Sequence, residues 1–352
     1  MIKLFRGFLF ISLILALAGC SSNKPTVQTP TETTPSTAKS SIKVAVVTDV
    51  GGIGDMSFNA MAWEGLQRAS KEMNLNAKFL ESREQADYVI NLSKLAEQRY
   101  NMIFAVGYLM EDAVKEASKK YPNTRFVIID GNAPDSSNTA SLKFDEEQGS
   151  FLAGALAGAM TKTGKIAFIG GIQMPIIQKF ECGYRAGALM MRPDIKVMIA
   201  YCGKFDDPAK GKELALAQFG QGADIIFHAA GGSGRGVIDA AKTKGAGFYA
   251  IGVDADQDYL APGRVLTSMM KRVDNAVYDM CEAEIKGTFK SGVHLYGLKD
   301  DGLTLSPMKY TKKDVPADII DKINKIRQMI IDGKIVPPKT LDELKAFKAP
   351  KL

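Results

Sequence analysis

Histidine and cysteine are scarce. Only His228 and His294 occur among 352 residues, and the cysteines are Cys20, Cys182, Cys202 and Cys281, with no paired CxxC spacing. A zinc site of His and Cys has little to draw on, so no metal is expected, and the three thiols beyond Cys20 form at most one disulfide. Excess positive charge is small: 45 Lys and Arg against 39 Asp and Glu give +6, and removal of Lys3 and Arg6 with a leader leaves +4. Charge so diffuse gives no basis for a nucleic-acid partner. Beyond the first twenty residues no apolar run approaches the ~20 residues that span a bilayer. Phosphate-binding fingerprints are missing too. GGSGRG from Gly231 to Gly236 fits GxGxxG in no frame, and Gly164-Lys165 is followed by Ile166, where a P-loop requires Ser or Thr. No Ser, His and Asp arrangement and no reactive cysteine stands out, so neither an enzyme nor a cofactor is expected.

What is present begins with a leader. MIKLFRGFLFISLILALAGC places Lys3 and Arg6 before a short apolar run that ends in Leu17, Ala18, Gly19 and Cys20. Residues 1–19 read as a cleaved export signal, too short to span. A cysteine directly after the small residues predicts lipidation at Cys20. Several acyl chains, palmitate among them, would hold the protein at the extracytoplasmic face of a cell membrane. The next stretch, SSNKPTVQTPTETTPSTAKSS, is rich in Ser, Thr and Pro with Val27 as its one large aliphatic residue, so residues 20–41 read as a flexible tether.

The body from Ile42 onward, 46% hydrophobic and 24% charged over the whole chain, is longer than one core usually grows, and two lobes are expected. Continuous apolar runs at 42–48, 102–106, 125–129, 165–169, 224–229 and 247–253 each end in an acid or glycine loop, and helical patterns follow. Such alternation predicts an α/β fold of doubly wound parallel sheets, with ligands at the loops after the strand carboxyl ends. The lobes are expected at 42–145 with 260–300, and at 146–259 with 301–352.

Those loops repeatedly set an acid beside glycine: Asp49 with Gly51 and Gly52, Asp130 with Gly131, Asp254 with Gly252. Helix capping accounts for some of them. Several aspartates repel phosphate but accept hydrogen bonds from sugar hydroxyls. Asp49 and Asp55 superficially suggest the first loop of a calcium-dependent nucleoside hydrolase, yet they stand six apart and no histidine is spaced to serve them.

DVGGIGDMSFNAMAWEGLQRA (49–69), FECGYRAG (180–187), GKFDDPAKGKELA (203–215), AAGGSGRGVIDAA (229–241), IGVDADQ (251–257) and TSMMKRVDNAVY (267–278) occur in order. Together they resemble the basic membrane protein family, the PnrA-like group of substrate-binding lipoproteins that serve ABC-type nucleoside importers. The resemblance implies a type 1 periplasmic-binding-protein fold, two lobes joined by a hinge, with permease and ATPase subunits as partners and a purine nucleoside (inosine, guanosine or adenosine) as ligand. Phe58 would stack on the base and Asn59 would bond its edge, with Asp130 as a second base contact. Phe205 would form the opposite wall, Phe180 being the alternative. Asp254 would accept from the ribose hydroxyls and Lys271 donate to them, while Asp49 and Gly231, in the loops, complete the expected ligand-binding set.

Each role has a plainer competitor. Phe58 could be a core aromatic, Asn59 a helix cap and Lys271 a solvated charge, and Trp63 reads as packing. A receptor or sensor of the same fold for a sugar or autoinducer is the alternative function. Cys182, Tyr184 and the bulky loop GYLMED (107–112) depart from the family pattern and bear on base preference.

Overall fold

The computed structural model describes residues 42–350. The leader, Cys20 and the tether lie outside the described residues. Five strands come first: β1 (Lys43–Val47), β2 (Asn76–Leu80), β3 (Met102–Val106), β4 (Arg125–Ile129) and β5 (Thr139–Phe144). Five more follow, β6 (Lys165–Gly170), β7 (Lys196–Tyr201), β8 (Ile225–Ala229), β9 (Tyr249–Asp254) and β10 (Val265–Lys271), before β11 (Gly292–Tyr296) and β12 (Leu303–Leu305). The helices between them are α1 (Phe58–Met73), α2 (Asp87–Glu97), α3 (Glu111–Lys120), α4 (Glu146–Met160) and α5 (Pro175–Met191). They continue with α6 (Pro208–Gly220), α7 (Gly234–Lys244), α8 (Val273–Ile285), α9 (Ala317–Ile331) and α10 (Leu341–Ala346).

Two six-stranded sheets result, ordered β11-β5-β4-β3-β1-β2 and β12-β10-β9-β8-β6-β7. Each order reverses direction once, between β1 and β3 in the first sheet and between β6 and β8 in the second, and a doubly wound sheet opens its ligand crevice there. Every pairing is parallel except β12 against β10. Strands β3 and β8 are buried at every residue, because helices cover both faces of each sheet. This is the α/β architecture that the apolar runs predict. The runs missed β2, β5, β7, β10, β11 and β12; β2 and β7 are half-buried edge strands, and in β2 Asn76 and Lys78 break the apolar pattern.

The chain passes between the sheets three times: from β5 into α4, from β10 into α8, and from β11 to β12. One lobe boundary therefore differs from the expected 260–300. Strand β10 pairs with β9 in the second sheet, and the return to the first lobe comes only with α8, which packs on α1. Strand β10 sits on the neighbour that precedes it in sequence, the commonest connection in such sheets.

Helices α4 and α5 touch backbone to backbone. A Cβ at Gly154 would lie 1.9 Å from Tyr184 O, and one at Gly187 would lie 1.9 Å from Phe151 O, so only glycine permits this approach. Among the described residues no helix is long and apolar enough to cross a membrane.

Candidate ligand-binding cleft

A cavity of about 640 Å³, including its mouth, opens between the carboxyl ends of the two sheets. Asp49, Phe58, Asn59, Asp130, Phe205, Gly231, Asp254 and Lys271 all line it, as does Phe180. Phe58 opens α1 in the first lobe, and Phe205 sits in the loop after β7 in the second, so each lobe contributes an aromatic ring.

The first-lobe wall is built around the start of α1. Asp55 accepts backbone N–H bonds from Ser57, Asn59 and Ala60 at 3.0, 2.8 and 3.0 Å. A carboxylate there complements the positive end of the helix. Asn59 Nδ2 donates to Asp49 Oδ1 at 2.9 Å and to Asp55 Oδ2 at 3.1 Å, while Asp49 N donates to Asn59 Oδ1 at 3.3 Å. Asn59 thus has both amide hydrogens committed to the protein, and the second lone pair of its carbonyl oxygen is the part left for a ligand. Burial pushes the Asp49 carboxyl up to about 6, against the pull of Asn59 and Gly51. Because Asp55 has taken over the capping, the Ser57 hydroxyl is free to cross the cleft and donate to Asp254 Oδ2 at 2.5 Å.

Asp130 and Asp254 stand at corresponding places, at the ends of β4 and β9. Both adopt the left-handed backbone region, with φ of 67° and 64°. Aspartate tolerates that conformation better than most residues, and such strain gathers at functional sites. Burial pushes Asp254 up to about 7, opposed by Lys271.

Lys271, at the end of β10, is fully buried, which removes the reading of a solvated surface charge. Its ammonium donates to both Asp130 oxygens, at 2.7 and 2.5 Å, and to Glu146 Oε1 at 2.9 Å. The rings of Phe58, Phe144 and Phe180 surround it at 5.1, 4.8 and 5.6 Å. Burial alone would lower its pKa, but Asp130, Glu146 and Asp254 raise it, so the group is held as a cation. The expected donation to a ribose is not its present arrangement. Phe180, almost buried, belongs to this cage, whereas half-buried Phe205 lies against Gly171, where a Cβ would come within 2.2 Å of the ring. Gly231, with φ of 52°, backs the same side chain. Trp63 packs edge-on to Phe79 at 5.0 Å, away from the cavity lining.

Four participants escaped the sequence reading. Ser57 and Gln257 lie within the family-like motifs but had no role there, and Glu146 lies outside those motifs. Gln257 Oε1 accepts from Val253 N, and from His228 Nε2 when that nitrogen carries the proton, both at 3.0 Å, and its Nε2 donates across the lobes to Met56 O at 3.0 Å. Burial lowers His228 to about 4, so it stays neutral. The fourth is an apolar group, Tyr108 and Leu109 of the bulky loop together with Met174 and Ile176, which line the cavity. Only the bulk of GYLMED signalled any of these. Among the described residues no group of three or more His, Cys, Asp or Glu is placed to hold a metal ion.

Residues 42–340 match the family model described as ABC transporter substrate-binding protein PnrA-like. The chain is 37% identical to the ABC transporter nucleoside-binding protein BmpA of Lactococcus lactis subsp. cremoris (strain MG1363), over 93% of this chain and 96% of that protein. It is 35% identical to basic membrane protein A of Borreliella afzelii, over 87% and 94% of the two chains. A solved ABC transporter solute-binding protein from Aeropyrum pernix K1 superimposes with a TM-score of 0.78 at 29% identity, covering 87% of this chain and 96% of that one. The chain belongs to the PnrA-like family of ABC transporter substrate-binding proteins.

Proposed function

We propose that this protein is the non-catalytic receptor of an ABC importer and captures purine nucleosides in the cleft between its lobes. The observation that carries the reading is the convergence of two aromatic rings, one from each lobe, with carboxylates at the ends of β4 and β9 in one cavity. Phe58 and Phe205 supply stacking, worth about 1–3 kcal/mol per ring and tolerant of any base. Asp130 accepts from N–H groups on the base edge, and Asp254 accepts from ribose hydroxyls. Asp49, Asp55, Asp130 and Asp254 outnumber the single lysine among the cavity's ionisable groups, which opposes a phosphate and favours an uncharged nucleoside. The nucleoside-binding name of the Lactococcus relative points the same way.

A metal-dependent hydrolase finds no support in these contacts. Asp55 spends its oxygens on the helix terminus and the Asn59 amide, and the buried histidine is held neutral away from the cavity lining. Acylation at Cys20, with residues 20–41 as tether, would place the receptor beside its permease and ATPase partners at the extracytoplasmic membrane face. Replacement of Cys20 by Ser should then release the protein from membranes.

Isothermal titration of the refolded, ligand-stripped body tests the ligand. Binding of inosine, guanosine or adenosine at about −8 kcal/mol or tighter, with no heat from the matching nucleotides, supports the reading. Heat from free sugars alone would replace it with a sugar receptor.

A further inference from the structure

Glu146 is fully buried where the chain first crosses between lobes, and two lysines converge on it. Lys271 Nζ donates to its Oε1 at 2.9 Å and Lys179 Nζ to its Oε2 at 3.1 Å. Lys179 also donates to Phe144 O at 3.3 Å, the last residue of β5. Burial pushes the Glu146 carboxyl up, but Lys271 and Lys179 outweigh it and hold the group ionised.

An ammonium has three hydrogens. On Lys271 two go to Asp130 and one to Glu146, and aromatic rings occupy its remaining surroundings. Both Asp130 oxygens are therefore engaged across the lobes before any ligand enters. A ligand N–H can use the second lone pair of either oxygen, but it does so best when Asp130 swings toward it and gives up part of its hold on Lys271. How readily that happens depends on how much counter-charge Lys271 keeps once Asp130 turns away, because a buried cation left without a partner is costly.

We propose that Glu146 is a positioning residue for ligand recognition: it retains Lys271 so that Asp130 can be released to an N–H donor on the ligand. This rests on the nucleoside reading above. Lys179 opposes the effect, since it draws on the same carboxylate. Discrimination between bases is then set partly from the hinge, by a residue that does not line the cavity.

Titration of wild type, Glu146→Gln and Lys179→Gln with inosine and with purine riboside tests it. Inosine carries an N–H at ring position 1, whereas purine riboside carries only a lone pair there. Glutamine preserves an acceptor for Lys271 but removes the charge, so Lys271 leans more heavily on Asp130. Inosine should bind Glu146→Gln about tenfold more weakly, with purine riboside changed less than about twofold. Lys179→Gln, partly exposed in the wild type, should tighten inosine binding by leaving the whole Glu146 charge to Lys271. Equal losses for both ligands in Glu146→Gln mean a merely structural role and overturn the inference. If that variant fails to fold, Lys179→Gln decides alone, and inosine binding that is unchanged or weaker overturns the proposal. Wild type that binds neither nucleoside overturns the ligand reading itself, and the inference with it.

Discussion

Ser57 and Asp254 meet across the cleft, the hydroxyl of one lobe donating to the carboxylate of the other at 2.5 Å. Asp254 is the group expected to receive ribose hydroxyls, and burial raises it to about 7. The ionised form is the better acceptor, so below neutrality ligand binding must first remove a proton. Nucleoside affinity should fall as pH drops through about 7, by up to about tenfold per unit. Titrations between about pH 8 and pH 6 check this, and a flat profile counts against it.

Stability of the empty protein should move the other way. Asp49 and Asp254 ionise near 3.8 when unfolded but near 6 and 7 in the fold. The stability they contribute is complete below the unfolded value and is lost as pH rises through the folded ones. Glu147, raised to about 7 by burial and then Asp145, adds the same sign. Thermal unfolding of ligand-free protein should give a higher Tm at about pH 5.5 than at pH 8, with a smaller difference in Asp254→Asn.

Gly171→Ala should imitate Phe205→Ala. The new Cβ would lie 2.2 Å from the Phe205 ring, so the ring must leave its place against the cavity. Both changes should weaken nucleoside binding by about 1–3 kcal/mol, the worth of one stacking face. Phe205→Ala should leave Tm nearly unchanged, because the ring is only half-buried. Paired calorimetry and thermal melts distinguish the two effects.

Phe180→Ala should show the reverse balance. That ring is 4% exposed and forms part of the cage around Lys271. Truncation should cost about 3 kcal/mol of stability, as for other buried aromatics. A large loss of affinity with no loss of stability would instead make Phe180 the stacking wall.

Gln257→Leu removes the acceptor for Val253 N and the partner of His228 Nε2, together with the donor to Met56 O in the other lobe. Unpaired buried groups cost about 1–3 kcal/mol each. The variant should melt earlier, and ligand-free protein should scatter X-rays as a more open particle.

The sequence by itself determined the layered α/β fold and pointed to the loops that line the cleft. Short apolar runs such as Met102–Val106, bounded by glycine and followed by a helical pattern, read as strands covered on both faces, and acid or glycine loops after such runs mark the carboxyl ends. Edge strands such as Asn76–Leu80 were less legible, since one exposed side relaxes the pattern. Which sheet receives Val265–Lys271, and what Lys271 touches, only the tertiary structure decided. An ammonium's partners depend on residues far apart in sequence, here Asp130 and Glu146, brought together by the crossovers. The same holds for Asn59, whose amide serves Asp49 and Asp55. Residue type says what a side chain can bond, but long-range packing chooses the partner, because each buried polar group must find one within reach.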